Sequence, residues 1–302
     1  MKIKEIILLA SAVLLLGACG SEEVSQTQDS QKVALQVSSA LTRATGTQWQ
    51  PGDAIGIYMF KSGSTVISES AANRRYATTD GSMSFTTSDD QTIYYPIDGS
   101  QVDFVAYYPQ QTLTDAMMAL DVSSQSSLPA IDVMYAETAS TTAAPLDKDH
   151  PRVTFGFSHR LTKLELTIAP GKGLQASDLK GMKVEITNQR THGSYYPLID
   201  GIDIAATPVQ TVTLNTNAGG TFSEAILLPN TDADGINEVV AGREIVFTLS
   251  TGETMKWSVP DTKLFEMGDR NIYTITLNRT GISAICQIVA WNSVDGGNVD
   301  AQ

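Results

Sequence analysis

Between residues 161 and 168 the chain reads Leu-Thr-Lys-Leu-Glu-Leu-Thr-Ile, so Leu164, Leu166 and Ile168 fall two apart and alternate with Lys163, Glu165 and Thr167. Successive side chains of a strand point to opposite faces, so this alternation describes a strand with one dry and one wet face and does not match a helix. Such a face is stable only against a second layer. Short β-branched or aromatic runs recur at 54–60, 83–86, 92–95 and 102–107, and again at 153–157, 183–187, 209–214, 225–228, 244–250, 255–259 and 271–277. Asp80-Gly81 and Asp98-Gly99 supply turn dipeptides, since Gly tolerates the positive φ of a tight hairpin. Helix is expected only at 114–120, with Thr114 as its cap, and for one turn near 177–179. The pattern predicts an all-β chain of sandwiches rather than α/β units.

With 302 residues the chain exceeds ordinary single-domain size, and two domains are the default. Thr, Ala and Ser crowd together from 138, before Pro145, Asp147, Asp149 and Pro151, which marks the linker. The expected division is a leader at 1–18, a tether with a first strand at 19–43, one sandwich at 44–148 and a second at 149–302.

The leader is read from Lys2 and Lys4 around Glu5, followed by an almost wholly apolar run at 6–17. That run has signal-peptide length and falls short of the ~20 residues a membrane span needs. Leu16-Gly17-Ala18-Cys19 is the pattern that lipoprotein signal peptidase recognises, so Cys19 is the expected lipidation site. Gly20 stands where an Asp would indicate inner-membrane retention. Residues 20–32 are polar and acidic and read as a flexible tether. Val33, Leu35, Val37 and Leu41 then share one face of a strand, with Gln36, Ser38 and Ala40 on the other, and Arg43-Ala44 follows.

Removal of 1–18 takes away two Lys and one Glu, moving the formal charge from -13 to -14. An acidic chain of this kind does not bind nucleic acid, which needs a basic face for its phosphates. With Cys19 lipidated, Cys286 is left without a disulfide partner and reads as a small hydrophobe, so packing alone must stabilise the fold. His150, His159 and His192 stand in no zinc or triad spacing, and Ser158-His159 and His192-Gly193-Ser194 are strand neighbours that point apart. No catalytic residue, cofactor or enzymatic activity is expected. Asn230, Asp232 and Asp234 match the first half of a calcium loop, but position twelve is Ala241, so an acidic hairpin is the better reading. Tyr94-Tyr95-Pro96, Tyr107-Tyr108-Pro109 and Tyr195-Tyr196-Pro197 are aromatic pairs whose outward ring could stack on sugar, although packing is favoured. The last strand is apolar on both faces: Ile282, Ala284, Cys286, Ile288 and Ala290 on one, Ile285, Val289 and Trp291 on the other. It needs cover on both, from its own sandwich or another chain.

In order and spacing, several of these features resemble the fimbrillin family of type V pilins of anaerobic Gram-negative bacteria. The resemblance is carried by the lipobox to Cys19, Leu41-Thr42-Arg43-Ala44, Trp49-Gln50-Pro51-Gly52-Asp53, Phe104-Val105-Ala106-Tyr107-Tyr108-Pro109, Asp132-Val133-Met134-Tyr135-Ala136, Phe157-Ser158-His159-Arg160-Leu161 and Tyr273-Thr274-Ile275-Thr276-Leu277. It implies two transthyretin-like Greek-key β-sandwiches, a lipid anchor on the outer membrane before processing, and display in a fimbrium. It also implies that an Arg-specific protease cuts between Arg43 and Ala44, removing the strand of Val33, Leu35, Val37 and Leu41, after which a strand from another pilus subunit fills the groove. The segment 281–292, with Ile282, Ala284, Cys286, Ile288 and Trp291, is by that analogy the candidate donor. Residues 292–302 depart from the family pattern, being polar and Gly-rich without a clear second strand. The competing reading is a surface lipoprotein that binds glycan or host protein without polymerising, and an outer-membrane hydrolase comes third.

Overall fold

The computed structural model describes residues 32–40, 49–230, 240–260 and 265–291. Up to residue 159 the strands are β1 (Gln36–Ser39), β2 (Ala54–Lys61), β3 (Arg74–Ala77), β4 (Ser84–Phe85), β5 (Val102–Tyr108), β6 (Met118–Asp121), β7 (Met134–Thr138), β8 (Arg152–Phe155) and β9 (Ser158–His159). Then follow β10 (Thr162–Pro170), β11 (Lys183–Arg190), β12 (His192–Tyr196), β13 (Gly201–Ile204), β14 (Val209–Thr213) and β15 (Asn215–Thr216). The remaining strands are β16 (Phe222–Leu227), β17 (Glu244–Thr248), β18 (Thr254–Ser258), β19 (Asp269–Asn278) and β20 (Gly281–Ala290). The fold is all-β, as the alternation predicts.

The first sandwich packs a sheet ordered β4-β1-β8 against one ordered β3-β2-β5-β7-β9. Ile55, Ile57 and Met59 of β2, Phe104 of β5 and Phe155 of β8 meet in its core. Trp49 sits there with its ring edge-on to Phe85 at 5.1 Å and Tyr108 at 5.4 Å. Every β2 residue except Lys61 is buried, because its other face, Tyr58 and Phe60, belongs to a different apolar cluster. A strand covered on both sides reads as a continuous apolar run, which is what 54–60 is.

The second sandwich packs β15-β16-β10-β19-β20 against β14-β11-β17-β18. Leu164, Leu166 and Ile168 of β10 face its core with Phe247, Ile275 and Leu277. Between the two cores lies a third sheet, β13-β12-β6. Its Met118, Leu120, Tyr195 and Ile202 join Tyr58, Tyr107, Leu161, Ile226 and Trp291 in a cluster that bridges the sandwiches.

Three expectations change. Residues 114–120 do not form a helix: Asp115 and Ala116 adopt positive φ in a turn closed by Thr114 and Met117, and the chain leaves it as β6, paired with β12. Tertiary pairing overrides the helix propensity of Ala116 to Leu120. The stretch expected as a linker is instead tied to the first sandwich. Leu146 drops into that core, and its carbonyl accepts from Val102 N. Finally, the strands at 152–159 do not open the second sandwich at residue 149. β8 lies parallel to β1, β9 pairs with β7, and Val153, Phe155 and Phe157 fill the first core, so the two cores divide near residue 160. The one-turn helix near 177 is present as a 3-10 turn at Ala176–Leu179, capped by reciprocal Gln175 and Asp178 contacts. A second short helix, Leu128–Ile131, carries Pro129 in its first turn, where the fixed φ of proline is tolerated.

Candidate assembly site

β1 is short and sits inside its sheet. On one side it runs antiparallel to β4, with Val37 opposite Phe85; on the other it runs parallel to β8, with Gln36 to Ser39 opposite Arg152 to Phe155. Main-chain bonds tie both flanks: Leu35 N to Ile93 O at 2.9 Å, Tyr95 N to Val33 O at 3.0 Å, Ser39 N to Met83 O at 2.8 Å, Gln36 N to Pro151 O at 2.8 Å and Ala40 N to Phe155 O at 2.9 Å. The expected alternation is realised. Leu35 and Val37 are 5% and 7% exposed and belong to the first core, Val33 packs against it half-buried, and Gln36 and Ala40 face out. Leu41, Arg43, Ala44 and Cys19 lie outside the described residues.

β20 is long and sits at an edge. All ten of its residues pair with β19, and on its other side the order of the sheet ends. Ile282 and Ala284 pack against the second core, while Ile285 is 75% exposed. Its C-terminal end is fixed by Trp291, whose N donates to Gly268 O at 2.7 Å and whose indole stacks on His159 at 4.1 Å and 18°. The side chains of Cys286 and Ala290 lie outside the description, and Ile288 is exposed.

Beside Trp291 lies a charged cluster carried by the outer face of β10. Lys163 Nζ is 2.9 Å from Glu165 Oε1 and 3.0 Å from Glu224 Oε2, and Arg270 Nη2 is 2.7 Å from Glu165 Oε2. Burial alone would raise the Glu165 carboxyl, but its hydrogen bonds to Arg270 and Lys163 outweigh that and hold it below the usual carboxylate range.

Each histidine meets an acid that its spacing in sequence did not reveal. His150 Nδ1 is 2.8 Å from Asp147, His159 Nδ1 is 3.3 Å from Asp132, and His192 Nε2 is 3.5 Å from Asp121. The His159 ring is buried with one face covered by Trp291, and Ser158 Oγ donates to Tyr135 O and accepts from Arg160. Asn230 is described, and its Oδ1 accepts from Arg243 Nη1 and Phe265 N, both at 2.9 Å, whereas Asp232 and Asp234 lie outside the described residues. Of the three aromatic pairs, Tyr95, Tyr107, Tyr108 and Tyr195 are buried, Tyr196 is half-buried and Tyr94 is exposed. Burial pushes the Tyr195 phenol far up, reinforced by Asp200, to whose Oδ1 it donates at 3.0 Å. A groove of about 560 Å³ runs past Phe60, Val105, Tyr135 and Glu137 beneath the exposed turn at Leu198 and Ile199.

Among the described residues, then, the chain is of an all-β class whose first strand lies inside its sheet and whose last strand lies at a sheet edge. Its relatives narrow that class. A family profile described as fimbrillin-like matches residues 42–291, and the chain belongs to this family. A Bacteroides uniformis protein named as a fimbrium subunit, Fim1C, is 35% identical over 98% of both chains. A crystal structure of a protein from the same species, named for cell adhesion, matches with a TM-score of 0.75 and 34% identity over 86% of this chain and 98% of its own. A second, from Bacteroides ovatus and also named for cell adhesion, shares the fold with a TM-score of 0.64 at 19% identity, over 87% of this chain and 98% of its own.

Proposed function

We propose that this chain is a structural, non-catalytic subunit of an adhesive fimbrium, exported as a lipoprotein on Cys19 and joined to its neighbours by exchange of the strand that includes β1. The observation that carries this reading is the placement of β1 between β4 and β8, hydrogen-bonded along both flanks. Cleavage between Arg43 and Ala44 would free the strand. Its departure would leave two facing rows of unpaired backbone groups and an open core where Leu35 and Val37 had been. Fully burying two such side chains contributes about 3 to 6 kcal/mol before entropy, against a whole-domain stability of about 5 to 15 kcal/mol. An emptied groove is therefore costly enough to couple processing to capture of another strand. The segment 281–292 is the candidate donor, and to act as one it would have to leave β19 and withdraw Trp291 from His159. Other pilus subunits are the partners, and the outer membrane and then the fimbrium are the proposed locations.

The test compares purified 20–302 with purified 44–302 by light scattering, and identifies the N-terminal residue of cell-surface material. Monomeric 20–302, oligomeric 44–302 and a surface form starting at Ala44 are expected. Monomers in both preparations would sink the proposal. The groove beneath Leu198 and Ile199 supports a second reading, a surface lipoprotein that binds glycan or protein without polymerising, and an acylated, uncut surface form would favour it.

A further inference from the structure

The space filled by β1 is graded along its length. From β1 and the residue just before it three side chains point inward, Leu35, Val37 and Ser39, a large, a medium and a small one in N-to-C order, and Ser39 is only 3% exposed. Its register partner on β8 is the fully buried Phe155, while Val37 lies opposite Phe85 and Val153. The outward face is tied to β8 by polar side chains. Arg152 Nε donates to Gln36 Oε1 at 3.0 Å, the Ser38 and Thr154 hydroxyls are 2.8 Å apart, and Ser38 Oγ reaches Val153 O at 3.3 Å.

We propose that this groove selects its occupant by size order and register. The occupant is an extended segment running parallel to β8, with inward side chains that fall from large to medium to small and a carboxamide facing Arg152 between the first two. The inference rests on the strand-exchange reading above and names the partner that reading leaves open. The physical reason is that a one-residue slip turns the polar face into the core, and a two-residue slip fails in either direction. One direction drives a medium side chain into the Ser39 slot against a close-packed core, and the other leaves a void where Val37 belongs. Gln36 and Ser38 then reinforce the one register that fits. The segment Cys286-Gln287-Ile288-Val289-Ala290 of a second copy has the carboxamide and the small last residue but a small first one, so it fits the far end of the slot and underfills the near end.

The experiment starts from the unprocessed chain, 20–302. Exchanging the ends of the gradient, Leu35→Ser together with Ser39→Leu, keeps composition and hydrophobicity but reverses the order, and the urea midpoint should fall clearly. An unchanged midpoint overturns the gradient. The chain is then cut at Arg43, with β1 left seated, and challenged with labelled peptides of sequence 32–40. The parent peptide should exchange in. Its Ser39→Leu version should bind at least about tenfold more weakly, and its Gln36→Lys version about fivefold more weakly. Equal binding of parent and Ser39→Leu peptides overturns the proposal while strand exchange stands. Failure of every peptide, parent included, overturns strand exchange, and the reversed-order variant then decides the gradient alone.

Discussion

β1 and β20 are the first and last described strands, and they solve opposite problems. β1 has four residues, lies between two neighbours and, with the residue just before it, places Leu35 and Val37 in the first core. β20 has ten, lies beside one neighbour and leaves Ile285 in solvent. Length and pairing therefore do not measure how much a strand matters. An interior strand of a few residues closes two edges and a core, whereas a long edge strand closes one edge and opens another. If the sandwiches are exchange partners, the short strand defines the acceptor and the long one the exposed face.

The largest effect should come from emptying the β1 side. Leu35→Ala with Val37→Ala removes two buried side chains from one core and should cost about 5 kcal/mol in urea unfolding of the full chain. Amide exchange should rise in β4, β8 and residues 93–95 before it rises in β10 or β19. Uniform loss of protection would break the comparison by making β1 an ordinary part of one cooperative unit. Next comes the anchor of β20. Trp291→Ala removes the ring stacked on His159 and should cost about 3 to 4 kcal/mol. Here the loosening should appear in β20 and in the bridging cluster, with residues 33–39 still protected.

A smaller, pH-dependent effect tests the charged cluster beside Trp291. The folded Glu165 carboxyl is held below its unfolded value, so its contribution is complete above the unfolded pKa of about 4.3 and is lost as pH falls through the lower, folded value. Glu165→Gln removes an acceptor from both Lys163 and Arg270 and should cost about 2 kcal/mol near neutral pH. The gap between parent and variant should close on acidification below about pH 4. A gap that stays constant to pH 3 would show that the cluster works by shape and not by charge.

The sequence made some of this legible and hid the rest for physical reasons. The alternation of Leu164, Leu166 and Ile168 and that of Leu35 and Val37 named the faces that the cores use, because a strand's period is local. The hairpin of β12 and β13 escaped notice. Its core contribution is Tyr195 and Ile202, with Ile204 half-buried beside them, among Gly, Ser and Asp, since its job is to span a seam and not to cover a full sheet face. The stack of His159 on Trp291 had no signal at all, because the two residues lie far apart in sequence and meet only through tertiary packing. Asp132 and Asp121 likewise reach His159 and His192 only through the fold, whereas Asp147 sits three residues from His150. The misplaced boundary near residue 149 has a similar origin. Pro145, Asp147, Asp149 and Pro151 look like a linker from composition, yet Leu146 among them carries the packing that holds the loop to the first core.

The smallest expected effect on stability is the sharpest test of the β20 side. Ile285 is 75% exposed on a strand whose outer edge has no strand beside it among the described residues. Ile285→Lys removes little buried area, so the urea midpoint of the full chain should move by no more than about 0.5 kcal/mol. It does place a charge on an edge strand, which is the usual way natural sheets discourage pairing with another chain. If β20 meets a partner along that edge, the variant of 44–302 should form shorter assemblies than its parent while remaining equally folded. If assembly is unchanged, the exposed face of β20 is no contact, and the comparison collapses onto β1 alone as the strand through which subunits join.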